Sequence, residues 1–388
     1  MSFKARRQPL SGQIKIAPSS KATNSKSTLA SGVRPSPLDG RPITSTGTRS
    51  LDSLLAGHVG LALGNLLLIE ETGTTDFAGC LLKYYAAEGA VQGHQVHVLG
   101  INEVWGTELP GIASEIKVSK EVSETASIDK MKIAWRYERL GEFGAEVRER
   151  SVGLQGNSSA SIFCHDFDLS RRLPISNYSN IKFVPAPNNK DFNSPASPFS
   201  FFLSHLLSQL KKSSSDTIHR IVIPSLLSPL FYPAEFCNPQ SILQFFHTLR
   251  ALLRIYSSQI TAIITIPLTL YSRDTGLTRW MELLSDGVLE LAPLTSAVSA
   301  TFSSEVKSAR DEAPQGILKI HKLPIFHEKG GGNIVGGLSR VGDNLAFSLS
   351  RRKGLIIKPF SLPPISGDLE IKSASSEKER STNEDIQF

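Results

Sequence analysis

The chain has 388 residues, of which 40% are hydrophobic, and a formal net charge of +6. This length suits one large domain or two modest ones, and the apolar content can form a substantial core. It contains no apolar run of about 18 or more residues and no apolar signal segment at its N-terminus, so we expect no membrane association. Its three cysteines are far apart and odd in number, which predicts neither a disulfide framework nor a zinc site and favours a reducing, intracellular compartment.

The charge is concentrated in the N-terminal part of the chain. Residues 1–38 hold seven basic residues and no acidic one. Because residues 1–34 are also poor in large apolar side chains, we predict a disordered basic tail there, and a disordered acidic tail over residues 366–388. A basic tail can contact a polyanion, but a tail that is simply solvated is an equally good interpretation.

The first ordered elements follow a β-α-β order. Residues 66–69 form a short apolar run typical of a strand buried on both faces. Residues 77–88 have helical spacing, and Gly89 is the predicted helix stop. Residues 95–99 predict the next strand, so the sheet should be parallel.

Later elements continue the pattern. Polar or Pro- and Asn-rich stretches near 106–130 and 174–198 predict mobile insertions. Helical and strand patterns alternate from residue 199 to residue 291, and Asn238 before Pro239 predicts a capped helix start. Residues 316–323 and 345–358 predict C-terminal β-structure. We therefore predict one α/β domain over residues 35–365.

The start of this domain resembles a RecA-type nucleotide-binding core. Residues 45–52 read S-T-G-x-x-x-L-D and precede a glycine turn and a buried strand. In RecA-type cores that strand leads into G-x-x-x-x-G-K-[ST], which binds phosphates. The resemblance implies a mainly parallel sheet flanked by helices and followed by antiparallel C-terminal strands. Any other α/β strand-turn-helix is the alternative.

The phosphate loop itself is degenerate. If Glu70 takes the first glycine position, then Thr75, Asp76 and Phe77 take the positions of the second glycine, the lysine and the Ser/Thr. Glu71 and Gly73 complete the turn. Paired carboxylates repel a triphosphate, whereas backbone amides and a lysine bind one. Loss of phosphate binding is the prediction.

A second position supports this interpretation. In ATPases of this fold, a later strand ends in an aspartate that orders magnesium. Here residues 221–223 run into Pro224 and Ser225. We therefore predict no catalytic residue, no metal site and no cofactor. Cys164, His165 and Asp166 cannot form a triad by themselves, because adjacent residues of an extended chain point to opposite faces.

Loop arginines are the candidates for nucleic-acid contact. Arg273 and Arg279 flank a turn at Gly276, on a loop that faces the central channel in RecA-like rings. A second basic cluster lies near the C-terminal strands and consists of Arg351, Arg352 and Lys353. Arginine forks suit phosphates, but basic residues are also common on a solvated sheet edge.

Together these motifs resemble the family of the fourth subunit of the Elongator complex. The resemblance covers about residues 32–364. Its most discriminating parts are the run I-A-W-R-Y at residues 133–137 and the two glutamates that end the first buried strand. This family is RecA-like and lacks the phosphate loop, so the resemblance implies a subunit without intrinsic ATPase activity.

The resemblance also implies partners. Such a subunit forms a heterohexameric ring with the fifth and sixth Elongator subunits, binds tRNA and docks on the larger subunits. The complex modifies C5 of the wobble uridine in tRNA, with the chemistry on another subunit, and we expect it in cytoplasm and nucleus. Trp135, Arg136 and Tyr137 suit a subunit interface or, equally, core packing.

Two other functions stay open at this point. The first is a ring ATPase that acts in trans, with neighbouring subunits supplying the missing groups and hydrolysis controlling tRNA release. The second is a recombinase-like DNA-repair protein, which would need the phosphate-loop lysine that is absent here.

Overall fold

A computed structural model describes residues 30–55, 58–113, 162–186, 197–294, 314–324, 345–352 and 354–359. The strands are β1 (Val33–Pro35), β2 (Pro42–Thr44), β3 (Leu61–Ala62), β4 (Leu66–Glu71), β5 (Gln95–Leu99), β6 (Pro110–Ile112), β7 (Phe167–Arg172), β8 (Ile181–Val184), β9 (His219–Ile223), β10 (Ile260–Pro267), β11 (Gly287–Pro293), β12 (Gly316–Lys322), β13 (Leu345–Ser350) and β14 (Gly354–Pro359). The α-helices are α1 (Arg49–Leu54), α2 (Phe77–Gln92), α3 (Ser200–Lys212), α4 (Pro239–Ile255) and α5 (Gly276–Leu284). Short 3-10 helices cover Glu103–Glu108, Ile175–Asn180 and Ala234–Cys237.

The main sheet has nine strands in the order β14-β13-β12-β11-β4-β10-β9-β5-β8. The six strands from β11 to β8 pair in parallel, and β12, β13 and β14 continue the sheet in antiparallel fashion. This arrangement confirms the predicted RecA-like fold, with a mainly parallel sheet and antiparallel C-terminal strands. The strand that leads to the phosphate-loop position, β4, lies near the middle, between β11 and β10.

Helices cover both faces of this sheet. Leu67 and Ile69 of β4 belong to one core cluster with side chains of α1 and α2. Leu66 and Leu68 belong to a second cluster with side chains of α3, α4 and α5. Because both faces of β4 are buried, the strand is a continuous apolar run instead of an alternating one.

The helix α2 extends one turn beyond the predicted stop. Gly93 is its C-cap, with a left-handed φ of +79°, so the predicted stop at Gly89 is wrong. Gly89 lies inside the helix, where a Cβ would come within 2.6 Å of Arg220 Cδ. The absence of a side chain at residue 89 therefore makes room for a buried arginine, and a packing requirement mimics a helix-stop signal. The predicted cap at Asn238 is confirmed, since its side chain accepts a hydrogen bond from Gln240 N.

Two segments that read as insertions contain strands. The strand β6 pairs with β7, and β8 adds a parallel strand beside β5. Residues 114–130 and 187–196 of these insertions, the residues Trp135, Arg136 and Tyr137, and the tail residues 1–29 and 366–388 lie outside the described residues, so their mobility and their roles stay predictions. The last residues of the predicted N-terminal tail are described, and Val33 and Arg34 belong to β1. Among the helices that the structure describes, none is long and apolar enough to cross a membrane.

Candidate functional site

The S-T-G-x-x-x-L-D motif is held together by its own aspartate. The Oδ2 atom of Asp52 accepts a hydrogen bond from Ser45 Oγ at 2.6 Å. Its Oδ1 atom accepts bonds from Thr46 N at 2.8 Å and from Thr46 Oγ1 at 2.7 Å. Burial raises the pKa of Asp52 to about 6, against the opposing effect of these bonds. The motif thus builds a closed turn at the start of α1 and leaves neither oxygen of Asp52 to a ligand.

A buried arginine ties this turn to the sheet. Arg220 on β9 is fully buried and donates to Ser45 O, Tyr85 O, Thr44 Oγ1 and His94 Nδ1, at 2.7 to 3.0 Å. Each polar atom of such a buried cation needs a partner. Thr44 and Ser45 lie at the end of β2 and the start of the turn, and Tyr85 and His94 lie in and directly after α2, so Arg220 fixes the turn, α2 and the sheet relative to one another.

The phosphate-loop position is filled by the side chain of Glu71. Its Oε1 accepts hydrogen bonds from Phe77 N at 2.8 Å and from Thr75 Oγ1 at 2.9 Å. Its Oε2 accepts a bond from Ala78 N at 3.1 Å. These backbone groups are the first of α2, and helix N-termini bind anions because their N–H groups have no partner within the helix. The chain therefore places its own carboxylate at the helix terminus where a nucleotide phosphate would bind.

The neighbouring glutamate points to the other side of β4. Glu70 is completely buried, and its Oε2 lies 3.3 Å from Arg273 Nε. The same guanidinium contacts Glu282 at 2.7 Å and Glu290 at 3.9 Å. Burial, and next the negative charge of Glu282, raise the pKa of Glu70 to about 8, against the attraction of Arg273. Glu70 is therefore mostly protonated at neutral pH.

This acidic cluster was not predicted as a unit. Glu290 of β11 also contacts Lys319 Nζ at 2.9 Å and His321 Nε2 at 2.7 Å. Glu70, Glu290 and His321 each offer an atom within 4.8 Å of the others, as a metal site would need. However, Arg273 contacts Glu70 and Glu290, and Lys319 contacts Glu290. These positive charges oppose the binding of a metal cation. The arrangement is that of an internal ion-pair network.

The sequence offered only part of the signal for this network. The sequence predicts separate roles for these two residues: Glu70 is an altered phosphate-loop position, and Arg273 is a candidate RNA contact. The pairing of β4 with both β10 and β11 brings the ends of these strands together. Glu282 and Glu290 read as ordinary acidic residues in the sequence, because nothing local indicates which strands become neighbours.

The other predicted site residues lie on several different elements. Asp76 precedes α2 and is its N-cap residue without a side-chain capping bond, and burial raises its pKa. Arg279 is 64% exposed and contacts Glu282 at 3.6 Å. Arg351 and Arg352 are exposed in the turn between β13 and β14, and Lys353 lies outside the described residues. Arg273 and Arg279 thus share a contact with Glu282, Arg351 and Arg352 lie in a different turn, and RNA contact by these residues stays a prediction.

The matching family model and the named relatives agree with one another. A family model described as PAXNEB protein matches residues 26–388. A Schizosaccharomyces pombe relative named Elongator complex protein 4 is 33% identical, over 95% of this chain and 98% of its own length. The Saccharomyces cerevisiae protein of the same name is 31% identical, over 82% of this chain and 74% of its own length. Among solved structures, one of a KaiC-like protein of Pyrococcus horikoshii is similar, with a TM-score of 0.40 and 15% identity. The superposition covers 82% of this chain and 99% of that protein's chain.

Proposed function

The chain belongs to the PAXNEB family, whose curated relatives are named Elongator complex protein 4, and from that premise we propose that it is a non-catalytic, RecA-like subunit of the Elongator complex. The observation that carries the non-catalytic part is the position of Glu71. Its carboxylate accepts hydrogen bonds from the first backbone N–H groups of α2, so a phosphate would have to displace a bound anion from this helix terminus.

The rest of the expected machinery is also missing. No lysine occurs between β4 and α2 to neutralise a triphosphate. The strand β9 ends at Ile223 and continues into Pro224 and Ser225, without the carboxylate that would order magnesium. Phosphoryl transfer depends on positioning and on charge neutralisation by such groups. A chain without any of them supports assembly instead of hydrolysis.

The finer assignment follows the family. The subunit forms a heterohexameric ring with the fifth and sixth Elongator subunits, in two copies each, and the ring docks on the larger subunits. The ring binds tRNA and supports modification of the wobble uridine at C5, in cytoplasm and nucleus. Family membership supports each of these statements, and the exposed arginines of the β13–β14 turn supply charge suited to RNA phosphates.

Measurements of ATP binding and ATP hydrolysis test the non-catalytic role. The purified chain should show no saturable ATP binding in calorimetry with magnesium present. A reconstituted ring should keep its ATPase rate when Glu70→Gln and Glu71→Gln are introduced together, provided that gel filtration shows intact assembly. If the ring's ATPase activity disappeared while assembly was unchanged, the alternative of an ATPase site completed in trans would replace this proposal.

The modification state of cellular tRNA tests the proposed role in wobble-uridine modification. Nucleoside mass spectrometry of tRNA from cells without the gene should show loss of the C5 side chain on wobble uridine, and the wild-type gene should restore it. Unchanged modification would leave the family assignment in place and would overturn the proposed role in tRNA modification.

A further inference from the structure

Residues 162–166, which we call the strap, lie against helix α2 and lead directly into β7. The strap is neither helix nor strand. Gln92 Nε2 of α2 donates a hydrogen bond to Ile162 O at 2.7 Å. Arg49, the first residue of α1, donates one to Cys164 O at 3.0 Å. Side chains of two helices therefore hold the first part of the strap in place.

A buried carboxylate holds the next residue of the strap. Glu88 on α2 is completely buried, and its Oε2 accepts a hydrogen bond from His165 N at 3.0 Å. Its Oε1 lies 3.1 Å from His165 Nδ1 and accepts a bond from Gln92 Nε2 at 2.8 Å. A buried carboxylate stays ionised only where donors or positive charges surround it. His165 thus offers Glu88 both its backbone N–H and its imidazole.

The charges around this contact favour an imidazolium–carboxylate pair. The hydrogen bond to Glu88, as the largest cause, raises the pKa of His165 above its ordinary 6.5. Arg49 and Asp166, which pair with each other at 2.8 Å, act on His165 in opposite directions. Burial, the largest influence on Glu88, raises its pKa, but the hydrogen bonds it accepts and the charge of Arg220 on β9 outweigh burial and lower it. Each partner therefore stabilises the charged form of the other.

We propose that the pair of His165 and Glu88 is a pH-sensitive latch, which holds the strap on α2 while His165 is protonated and loosens it when His165 loses its proton to solvent. Histidine is the side chain that ordinarily changes charge near neutral pH. The stability that the charged pair gives to the closed strap is fully present below pH 6.5 and is lost as the pH rises through the folded pKa of His165. Loosening would also move one wall of a surface pocket of about 260 Å³, because His165 and Asp166 line it.

The other described contacts of the strap leave this pH range to His165. The Cζ atom of Arg34 on β1 lies 3.6 Å from the centre of the Phe163 ring, and arginine keeps its charge across neutral pH. Asp52 of α1 interacts electrostatically with Glu88, and burial raises the pKa of Asp52 to about 6. Its change of charge is therefore centred below the range in which the latch loosens.

Hydrogen exchange at the His165 amide tests the latch, because this N–H donates to Glu88. In the full chain, the protection factor of this amide, corrected for the intrinsic exchange rate, should fall about three-fold or more between pH 6.5 and pH 8.5. The Ser170 amide is the internal control. It also donates to a carboxylate, Asp168 Oδ1 at 2.8 Å, but Asp168 is paired with Arg171 at 3.8 Å. Its protection factor should stay constant.

Two substitutions at residue 165 separate charge from hydrogen bonding. His165→Gln keeps a polar side chain without a titratable charge, so protection at this amide should be low and independent of pH. His165→Lys keeps a positive charge beside Glu88 over the whole range, so protection should be independent of pH and higher than in the glutamine variant. His247→Gln is the matched control, because His247 is exposed on α4, and its profile should match wild type. Thermal unfolding shows whether each variant is folded.

Three outcomes decide the matter. If the protection factor of the wild-type His165 amide stays in constant ratio to that of the Ser170 amide, the latch is wrong. A fall in the His165→Gln variant as large as in wild type would also overturn it, because another group would then be titrating. A fall in wild type that disappears in that variant supports the latch, and if the variants do not fold, the ratio of the two wild-type amides decides alone. The proposed function is independent of these results, because neither RNA nor a partner subunit takes part in the contact.

Discussion

Glu71 Oε1 lies 2.8 Å from Phe77 N and accepts its hydrogen bond, so the carboxylate that ends β4 caps the helix that follows it. The strand β4 and the helix α2 are the two elements that hold a phosphate loop in RecA-type cores. Here the turn between them is closed by the chain itself. A glutamate at this position both excludes a phosphate and supplies the negative charge that the helix N-terminus favours.

The capping role of Glu71 can be measured. Glu71→Ala should lower the free energy of unfolding by about 1–2 kcal/mol, because Phe77 N and Ala78 N lose their acceptor. Glu71→Gln keeps one acceptor oxygen and should cost less. Urea denaturation followed by circular dichroism gives both values. An alanine variant as stable as wild type would contradict the capping role.

The protonation of Glu70 makes a pH-dependent prediction. Its folded pKa of about 8 lies above its ordinary value of 4.5, so the folded state holds an extra proton between these pH values. The stability from this group is therefore present below pH 4.5 and is lost as the pH rises through 8, by up to about 1.4 kcal/mol per pH unit. Glu70→Gln should flatten this decline in urea melts at pH 6, 7, 8 and 9. Parallel curves for both proteins would show that Glu70 is ionised throughout.

Arg273 and Arg279 form a matched pair for a test of the acidic cluster. Arg273 contacts three glutamates and is 27% exposed, whereas Arg279 contacts one and is 64% exposed. Arg273→Ala should destabilise the protein by about 2–4 kcal/mol, because Glu282 and Glu290 lose this counter-ion. Arg279→Ala should change stability by less than about 0.5 kcal/mol. Equal effects in thermal and urea unfolding would argue against the network.

Gly89 tests the packing explanation of the helix α2. Gly89→Ala should cost about 1–3 kcal/mol, because the new methyl group would overlap Arg220 Cδ and displace a fully buried side chain. Gly276→Ala is the control, since a Cβ there has nothing within 4 Å, and it should be neutral or slightly stabilising. If Gly89→Ala also stabilised the protein, helix propensity would outweigh packing at this position.

Three buried histidines predict that the folded state loses stability in acid. Burial, as the largest cause, lowers the folded pKa of His94 and His97 to about 3 and that of His219 to about 4, all from 6.5. The unfolded chain therefore binds more protons below pH 6.5, and stability falls as the pH decreases from there towards 4. His219→Gln should reduce the slope between pH 6 and pH 4.5 by about 1.4 kcal/mol per pH unit relative to wild type. An unchanged slope would mean that His219 is already charged in the folded state.

Local sequence determined a large part of this protein. The continuous apolar run of β4, the capped start of α4 at Asn238 and the β-structure at residues 345–358 depend on neighbours within a few residues, and these predictions are confirmed. The four altered phosphate-loop positions could also be identified from the sequence, because that motif is contiguous in the chain. The family resemblance depends on the same kind of contiguous signal.

Tertiary structure decided what those residues do. The sequence places Glu71 only in the altered phosphate-loop turn, next to Glu70 at the first glycine position, and its capping bonds depend on how the turn closes. Arg273, a candidate RNA contact, is also the counter-ion of Glu282 and Glu290. It meets these residues and Glu70 because β4 pairs with β10 and β11, which come much later in the chain. Gly89 is explained by an arginine on β9. Side chains distant in sequence meet only when the strand order is set, and a single sequence carries no local signal of that order.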